Sequence, residues 1–316
     1  MNEDTFSNAL ENRILLFDGA MGTEIQNYNP TSRDFPDGKD GFNDGLSISK
    51  PEWIKEIHRK YLSAGADCIE TNTFGSNKIK LDEYGFGNQT VELNQKNAEL
   101  ARSVCDEFTD RRRFVVGSMG PTGYLPSSND PDLGQISLSE IREAFELQAE
   151  GLIKGTADAL LIETSQDILE VKLAVEASHN AMKKTGKKVT LISNVTLDQY
   201  GKMLLGTNVQ SAYTTISDMG IDVFGLNCST GPIEMEPSVQ WLNDQKHKPL
   251  LVVPNAGMPE NQGGHAVYKM TPEKMASALD SFLREYPQIN IVGGCCGTNP
   301  EHISQLRKVI DQQKKD

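Results

Sequence analysis

Ile289-Asn290-Ile291-Val292-Gly293-Gly294-Cys295-Cys296-Gly297 is a short apolar run closed by glycines that flank two adjacent cysteines. A run of this length bounded by glycine reads as a buried strand that ends in a turn. Adjacent cysteines do not readily bond to each other, because a disulfide there strains the intervening peptide. At a strand end they offer two thiolates to a cleft. A metal ion with at least one further ligand from elsewhere is the simplest occupant.

Working back from this segment, the same strand-then-turn signature recurs seven times. The apolar runs are Arg13 to Asp18, Asp67 to Thr73, Phe114 to Met119, Asp158 to Glu163, Val189 to Asn194, Ile221 to Asn227 and Pro249 to Val253. Continuous apolar runs of this kind suit strands buried on both faces. Helical patterns fall between them. They are expected from Pro51 to Gly65, from about Gln89 to Arg112, from Ser137 to Gly155, from Asp167 to Lys184, from Asn208 to Met219, from Ile233 to Leu242, from Thr271 to Tyr286 and from Pro300 to Gln313. Residues 1–12 read as a short helical lead-in, and 27–50 and the glycine-rich 261–264 as loops. Eight strand-helix units in this length close into a (β/α)8 TIM barrel, an α/β fold, here expected as one domain over residues 1–316. The alternative, an open doubly wound sheet, would carry a phosphate fingerprint after its first strand, and Gly19-Ala20-Met21-Gly22 is not one.

Composition narrows the function. A net charge of −13 leaves no basic surface for nucleic acid or anionic lipid. The lone basic run, Arg111-Arg112-Arg113, is expected to be a solvated helix end. No stretch reaches the roughly 18 apolar residues of a membrane span, and the N-terminus lacks a signal-peptide pattern. Five scattered cysteines do not make a disulfide framework, so a reducing, cytoplasmic setting is expected.

A barrel of this class builds its site at the carboxyl ends of its strands. Asp18, Thr73, Glu163, Cys228, Asn255 and the Cys295-Cys296 pair all fall there. Three thiolates with one open position suit a reactive tetrahedral zinc, one per chain, and a soft sulfur set favours zinc over magnesium or calcium. Zinc is redox-inert, so its part would be to bind a substrate atom and lower its pKa; if that atom is a thiol sulfur, coordination would keep it a nucleophilic thiolate near neutral pH. Acids at Asp18 and Glu163 beside three thiolates call for a cationic ligand such as an ammonium group, hence an amino acid. A metal hydrolase would use mainly His and carboxylate ligands, and the five histidines fall on predicted helices or loops. Cys68 and Cys105 read as structural.

Asp18-Gly19-Ala20-Met21-Gly22-Thr23, Glu70-Thr71-Asn72-Thr73-Phe74-Gly75, Gly120-Pro121-Thr122-Gly123, Glu163-Thr164, Asn227-Cys228, Pro254-Asn255-Ala256-Gly257 and Gly293-Gly294-Cys295-Cys296-Gly297-Thr298 resemble the homocysteine S-methyltransferase family. The resemblance covers about residues 12–310 and is nearest to the homocysteine-binding module of the cobalamin-dependent methionine synthases. It implies a zinc-bound homocysteine thiolate that accepts a methyl group to give methionine. The zinc ligands would be Cys228, Cys295 and Cys296, the same three residues that form the catalytic centre. Asp18 and Glu163 would hold the amino group, backbone amides near Gly19 and Ala20 the carboxylate, and Asn255 the open zinc position before substrate arrives; Thr73 joins the substrate contacts. The implied donor is methylcobalamin or 5-methyltetrahydrofolate, presented by cobalamin-binding and folate-binding partner modules. A stand-alone enzyme using S-methylmethionine, S-adenosylmethionine or betaine is the alternative, and a non-catalytic zinc- or thiol-binding barrel the alternative of another class.

Overall fold

The computed structural model describes residues 5–263 and 265–313. Helix α1 (Phe6–Asn12) leads into β1 (Leu15–Leu16), followed by α2 (Met21–Gln26), α3 (Leu46–Ser49) and α4 (Pro51–Ser63). Then come β2 (Cys68–Glu70), α5 (Lys78–Tyr84), α6 (Thr90–Cys105), β3 (Phe114–Met119) and α7 (Leu138–Lys154). Next are β4 (Ala159–Ile162), α8 (Ile168–Thr185), β5 (Thr190–Val195), α9 (Val209–Ile216), β6 (Val223–Asn227) and α10 (Pro232–Gln245). The chain ends through β7 (Leu250–Val253), a hairpin of β8 (Glu260–Gln262) and β9 (His265–Val267), α11 (Pro272–Glu285), β10 (Ile289–Val292) and α12 (Pro300–Gln313). Eight parallel strands form one sheet in the order β1-β10-β7-β6-β5-β4-β3-β2, the expected (β/α)8 barrel. Among the described residues no helix is long and apolar enough to cross a membrane.

Strand alternation sorts the core into two layers. Phe114 and Val116 point into the barrel with Leu15, Phe17, Cys68, Leu161, Ile192 and Leu251. Val115, Leu160, Leu191 and Val252 point outward into the larger layer beneath the helices. Helix α1 plugs the lower end, its Phe6 ring meeting Phe114 edge-on at 5.4 Å. The helix boundaries follow local chemistry. Ser137 caps α7 in a reciprocal box with Glu140, Asp167 caps α8 through Leu169 N, and Gly186, with φ of 68°, ends α8.

The barrel closes without a regular ladder between β1 and β2. Asp67 N donates to Leu16 O at 2.7 Å, Leu16 N donates to the Asp67 carboxylate at 3.0 Å, and Glu70 N donates to Asp18 Oδ2 at 3.1 Å. Side-chain oxygens stand in for backbone partners. That is why the first strand is two residues long in the sheet rather than the six read from its apolar run.

The structure corrects three other expectations and adds a helix. Helix α6 ends at Cys105, so Arg111-Arg112-Arg113 lies beyond it and is not a solvated helix end. Arg111 Nε meets buried Asp67 at 2.8 Å, Arg112 reaches Asp158 at 3.1 Å, and Arg113 is itself buried. These arginines neutralise acids at the lower end of the barrel. Residues 27–50 contain three single 3-10 turns (Ser32–Asp34, Pro36–Gly38, Asn43–Gly45) and α3. The segment after β2 contains α5, capped by Asn77, whose short polar composition hid its period. Of the glycine-rich 261–264, Asn261 and Gln262 belong to β8 of the β8–β9 hairpin, and position 264 lies outside the described residues.

His58 on α4 is fully buried and neither ring nitrogen has a hydrogen-bond partner. Desolvation holds its pKa down from 6.5 to about 3. The folded chain therefore keeps His58 neutral where the unfolded chain protonates it. The stability this provides is complete above pH 6.5 and is lost as pH falls toward 3. Urea unfolding of wild type and His58→Met should show a gap that shifts in the variant's favour by about 3 kcal/mol between pH 6.5 and pH 4. A gap independent of pH would contradict the account.

Candidate active site

The upper ends of the strands surround a cavity of ≈ 410 Å³. Cys228, Cys295 and Cys296 line it together with Asp18, Glu70 and Glu163. No Lys, Arg or His is among the described residues that line it.

The three sulfurs lie within 4.8 Å of one another, and Cys228 Sγ is 3.7 Å from Cys296 Sγ. All five cysteines are free thiols. Tetrahedral zinc with Zn–S bonds of about 2.3 Å separates its sulfurs by about 3.8 Å, so the cluster has the size a metal requires. Hydrogen bonds from Cys228 and Cys295 hold the Cys296 thiol down at about 3, and those contacts push Cys295 well up.

The stretch Val253 to Ala256 fixes all three cysteines. Cys228 N donates to Val253 O at 3.2 Å, Cys295 N to Pro254 O at 2.8 Å, and Ala256 N to Cys296 O at 3.0 Å. Asn255, at the centre of this stretch, is 1% exposed, and its Oδ1 has no hydrogen-bond partner. Cys228 has φ of 62° and the following Ser229 64°, a left-handed pair without glycine. Gly297, with φ of 78°, also has no room for a side chain, since a Cβ there would sit 2.3 Å from the Tyr268 ring.

Burial dominates the acids. It pushes Asp18 well above the ordinary carboxylate range, opposed by the Glu70 amide and reinforced by the charge of Glu163. Burial also raises Glu163, opposed by Ser118 Oγ, which donates to Oε1 at 2.5 Å. Asn227 Nδ2 donates to the other Glu163 oxygen at 3.3 Å. Glu70 is raised well above its ordinary value by burial, then by Glu163 and Asp18.

Of the residues expected from sequence, Asp18, Gly19, Ala20, Glu163 and the three cysteines line the cavity. The Ala20 amide donates to Thr298 Oγ1 at 3.2 Å, so an internal hydroxyl already occupies it. Thr73 is fully buried outside the lining, donating to Ser118 O at 2.7 Å, and its contacts are structural ones. Sequence reading missed Glu70, Ser118 and Asn227 as site residues. Glu70 could have been found by alternation, because Cys68 points inward and Glu70 lies two residues on.

The homocysteine S-methyltransferase family model matches residues 15–310. The chain belongs to that family. It is 40% identical over 308 residues to the methionine synthase of Mycobacterium tuberculosis and 40% identical over 303 residues to that of Mycobacterium leprae. These matches take in 97% and 95% of the chain but 25% and 24% of those relatives, so the chain spans about a quarter of their length. The crystal structure of the homocysteine methyltransferase MmuM from Escherichia coli, metallated form, superposes with a TM-score of 0.73 at 22% identity, over 95% of this chain and 97% of that one. That likeness bears out the barrel. Family membership places the chain among methyltransferases.

The glycine crowding is testable apart from chemistry. Gly297→Ala should destabilise by about 2–4 kcal/mol, from a left-handed residue and an overlap with Tyr268. Gly186→Ala, equally left-handed but with open space around it, should cost only about 1 kcal/mol. Equal losses in thermal unfolding would show that the Tyr268 contact is unimportant.

Proposed function

We propose that residues 1–316 act as one homocysteine-binding barrel domain that holds a single zinc ion and methylates homocysteine to methionine. The observation that carries this reading is one cavity combining three converging thiols with four acids, Asp18, Asp44, Glu70 and Glu163, and no basic side chain among the described residues that line it. The zinc ligands are Cys228, Cys295 and Cys296, and the orphaned Oδ1 of Asn255 is the candidate for the fourth position before substrate binds. When bound, zinc lowers the pKa of a coordinated thiol and keeps it nucleophilic near neutral pH.

The chain's own groups orient the amino acid. Asp18 and Glu163 take the ammonium group, with Ser118 and Asn227 holding Glu163 in place. Backbone around Gly19 and Ala20 faces the carboxylate end, and Thr73 supports this wall through Ser118 O rather than touching substrate. In the transfer the sulfur lone pair forms the new S–C bond while the methyl–donor bond breaks, its electron pair leaving with the donor.

The donor we infer is methylcobalamin, recharged from 5-methyltetrahydrofolate, carried by cobalamin-binding and folate-binding modules. Two facts support this. The relatives at 40% identity extend well beyond the part that matches. Phe74, Leu133, Tyr200, Leu204, Ile233 and Met258, all on segments that follow barrel strands, expose large apolar side chains, and Phe74 also lines the cavity. A cytoplasmic setting fits thiols that must stay reduced.

Purified protein should bind close to one zinc, and Cys296→Ser should weaken zinc at least about 100-fold and abolish homocysteine binding. Methionine should form from homocysteine with methylcobalamin and not with S-methylmethionine or betaine. Homocysteine binding that survives Cys296→Ser would refute the zinc reading. Turnover with the small donors alone would refute the partner modules.

A further inference from the structure

With Asp44 held by Gly75 N at 3.0 Å and Ser76 Oγ at 3.1 Å, Glu70 is the remaining cavity acid that the proposed chemistry leaves without a task. It ends β2, two residues beyond inward-facing Cys68, and lines the cavity between Asp18 and Glu163. Its carboxyl group shares the cavity wall with Asp18 and Glu163, and no basic side chain lines that wall among the described residues. Carboxyl groups gathered in one buried cavity without a cation disfavour one another's charge, so at least one of them carries a proton. Glu163 receives donors from Ser118 on one oxygen and from Asn227 on the other, and these favour its charged form. The groups facing Glu70 from neighbouring elements are Asp18 after β1, Glu163 after β4 and Tyr61 on α4. Each is an acid or a neutral hydroxyl, and none stabilises a negative Glu70. The proton therefore resides on Glu70.

We propose that Glu70 is a positioning and specificity residue that exchanges its proton for the substrate's ammonium group. This rests on the amino-acid substrate proposed above. As the ammonium enters, the Glu70 O–H bond breaks and the proton leaves to bulk water. The carboxylate left behind pairs with the ammonium, which keeps its three N–H bonds. No oxidant or further reactant is involved. A thiol acid without an amino group cannot drive this exchange, so Glu70 selects α-amino acids over their des-amino analogues. A fixed negative charge here would instead leave three acids in permanent mutual repulsion.

L-Methionine is the probe, because it has the ammonium group and no thiol proton. Calorimetric titration of the zinc-loaded chain near pH 6.5, in two buffers of different protonation enthalpy, should give about one proton released per methionine bound. Glu70→Gln, which keeps the shape and a donor, should release none and should lose the preference for homocysteine over 4-mercaptobutyrate. The infrared band of a protonated carboxyl should disappear when methionine binds the wild type, a readout that needs no variant. Methionine binding to wild type without proton release, or equal release by Glu70→Gln, overturns the role of Glu70 and leaves the amino-acid reading standing. Failure of both methionine and homocysteine to bind overturns that reading itself.

Discussion

The barrel depends on a seam closed by two aspartates. Asp67 bridges β1 and β2 at the lower end with its amide and its carboxylate, and Asp18 does so at the upper end by accepting from Glu70 N. Buried carboxylates are costly unless paired or hydrogen-bonded. At the lower end Arg111 and Arg307 supply the charge, at 2.8 and 3.0 Å from Asp67. Asp18 has no such partner: its support is a backbone amide, and its open side faces the cavity. The two ends of one seam thus differ in kind. The lower is a neutralised latch, and the upper is a latch left short of positive charge.

That shortage organises the site. Asp18, Glu70 and Glu163 come from three strands and are brought together only when the barrel closes. Each is pushed up chiefly by burial, so the chain retains protons where an incoming cation would relieve it. The hydrogen bonds from Ser118 and Asn227 to Glu163 break the symmetry of the set by choosing which acid ionises first. In the same cavity, hydrogen bonds from Cys228 and Cys295 lower the pKa of Cys296. Both clusters are incomplete in the same sense: each has more acceptors than the protein satisfies.

Much of this was legible before any coordinates. Strands read as apolar runs because parallel barrel strands are buried on both faces, and β3 and β10 match their runs to the residue. The convergence of the cysteines and two acids on one cavity was readable because the fold dictates which ends meet. The remainder was hidden for physical reasons. The Arg111–Arg113 run looked solvated since nothing local shows that Asp67 and Asp158 lie beneath it. Glu70 was passed over because its meaning depends on Glu163, 93 positions away in the sequence. Thr73 looked like a ligand contact, yet its hydroxyl is held by the neighbouring strand.

The aim of Cys228 could not have been read at all. Asn227, the last residue of β6, points inward to Glu163, so continued alternation would turn Cys228 away from the cavity. The chain instead takes two consecutive left-handed residues, Cys228 and Ser229, which brings the sulfur back to 3.7 Å from Cys296. Each such residue costs about 1 kcal/mol or more relative to glycine, and glycine at Cys228 would remove the ligand. The turn is held by Cys228 N to Val253 O and by Thr230 N to Cys228 O at 2.7 Å. Thr164, directly after Glu163, is left-handed too, and its amide is held by Asn227 Oδ1 at 2.9 Å. Asn227 therefore ties both strained turns together, bonding Glu163 on one side and preceding the cysteine on the other. The fold accepts local strain at two strand ends so that an acid and a thiol, which the pleat alone would separate, address the same cavity.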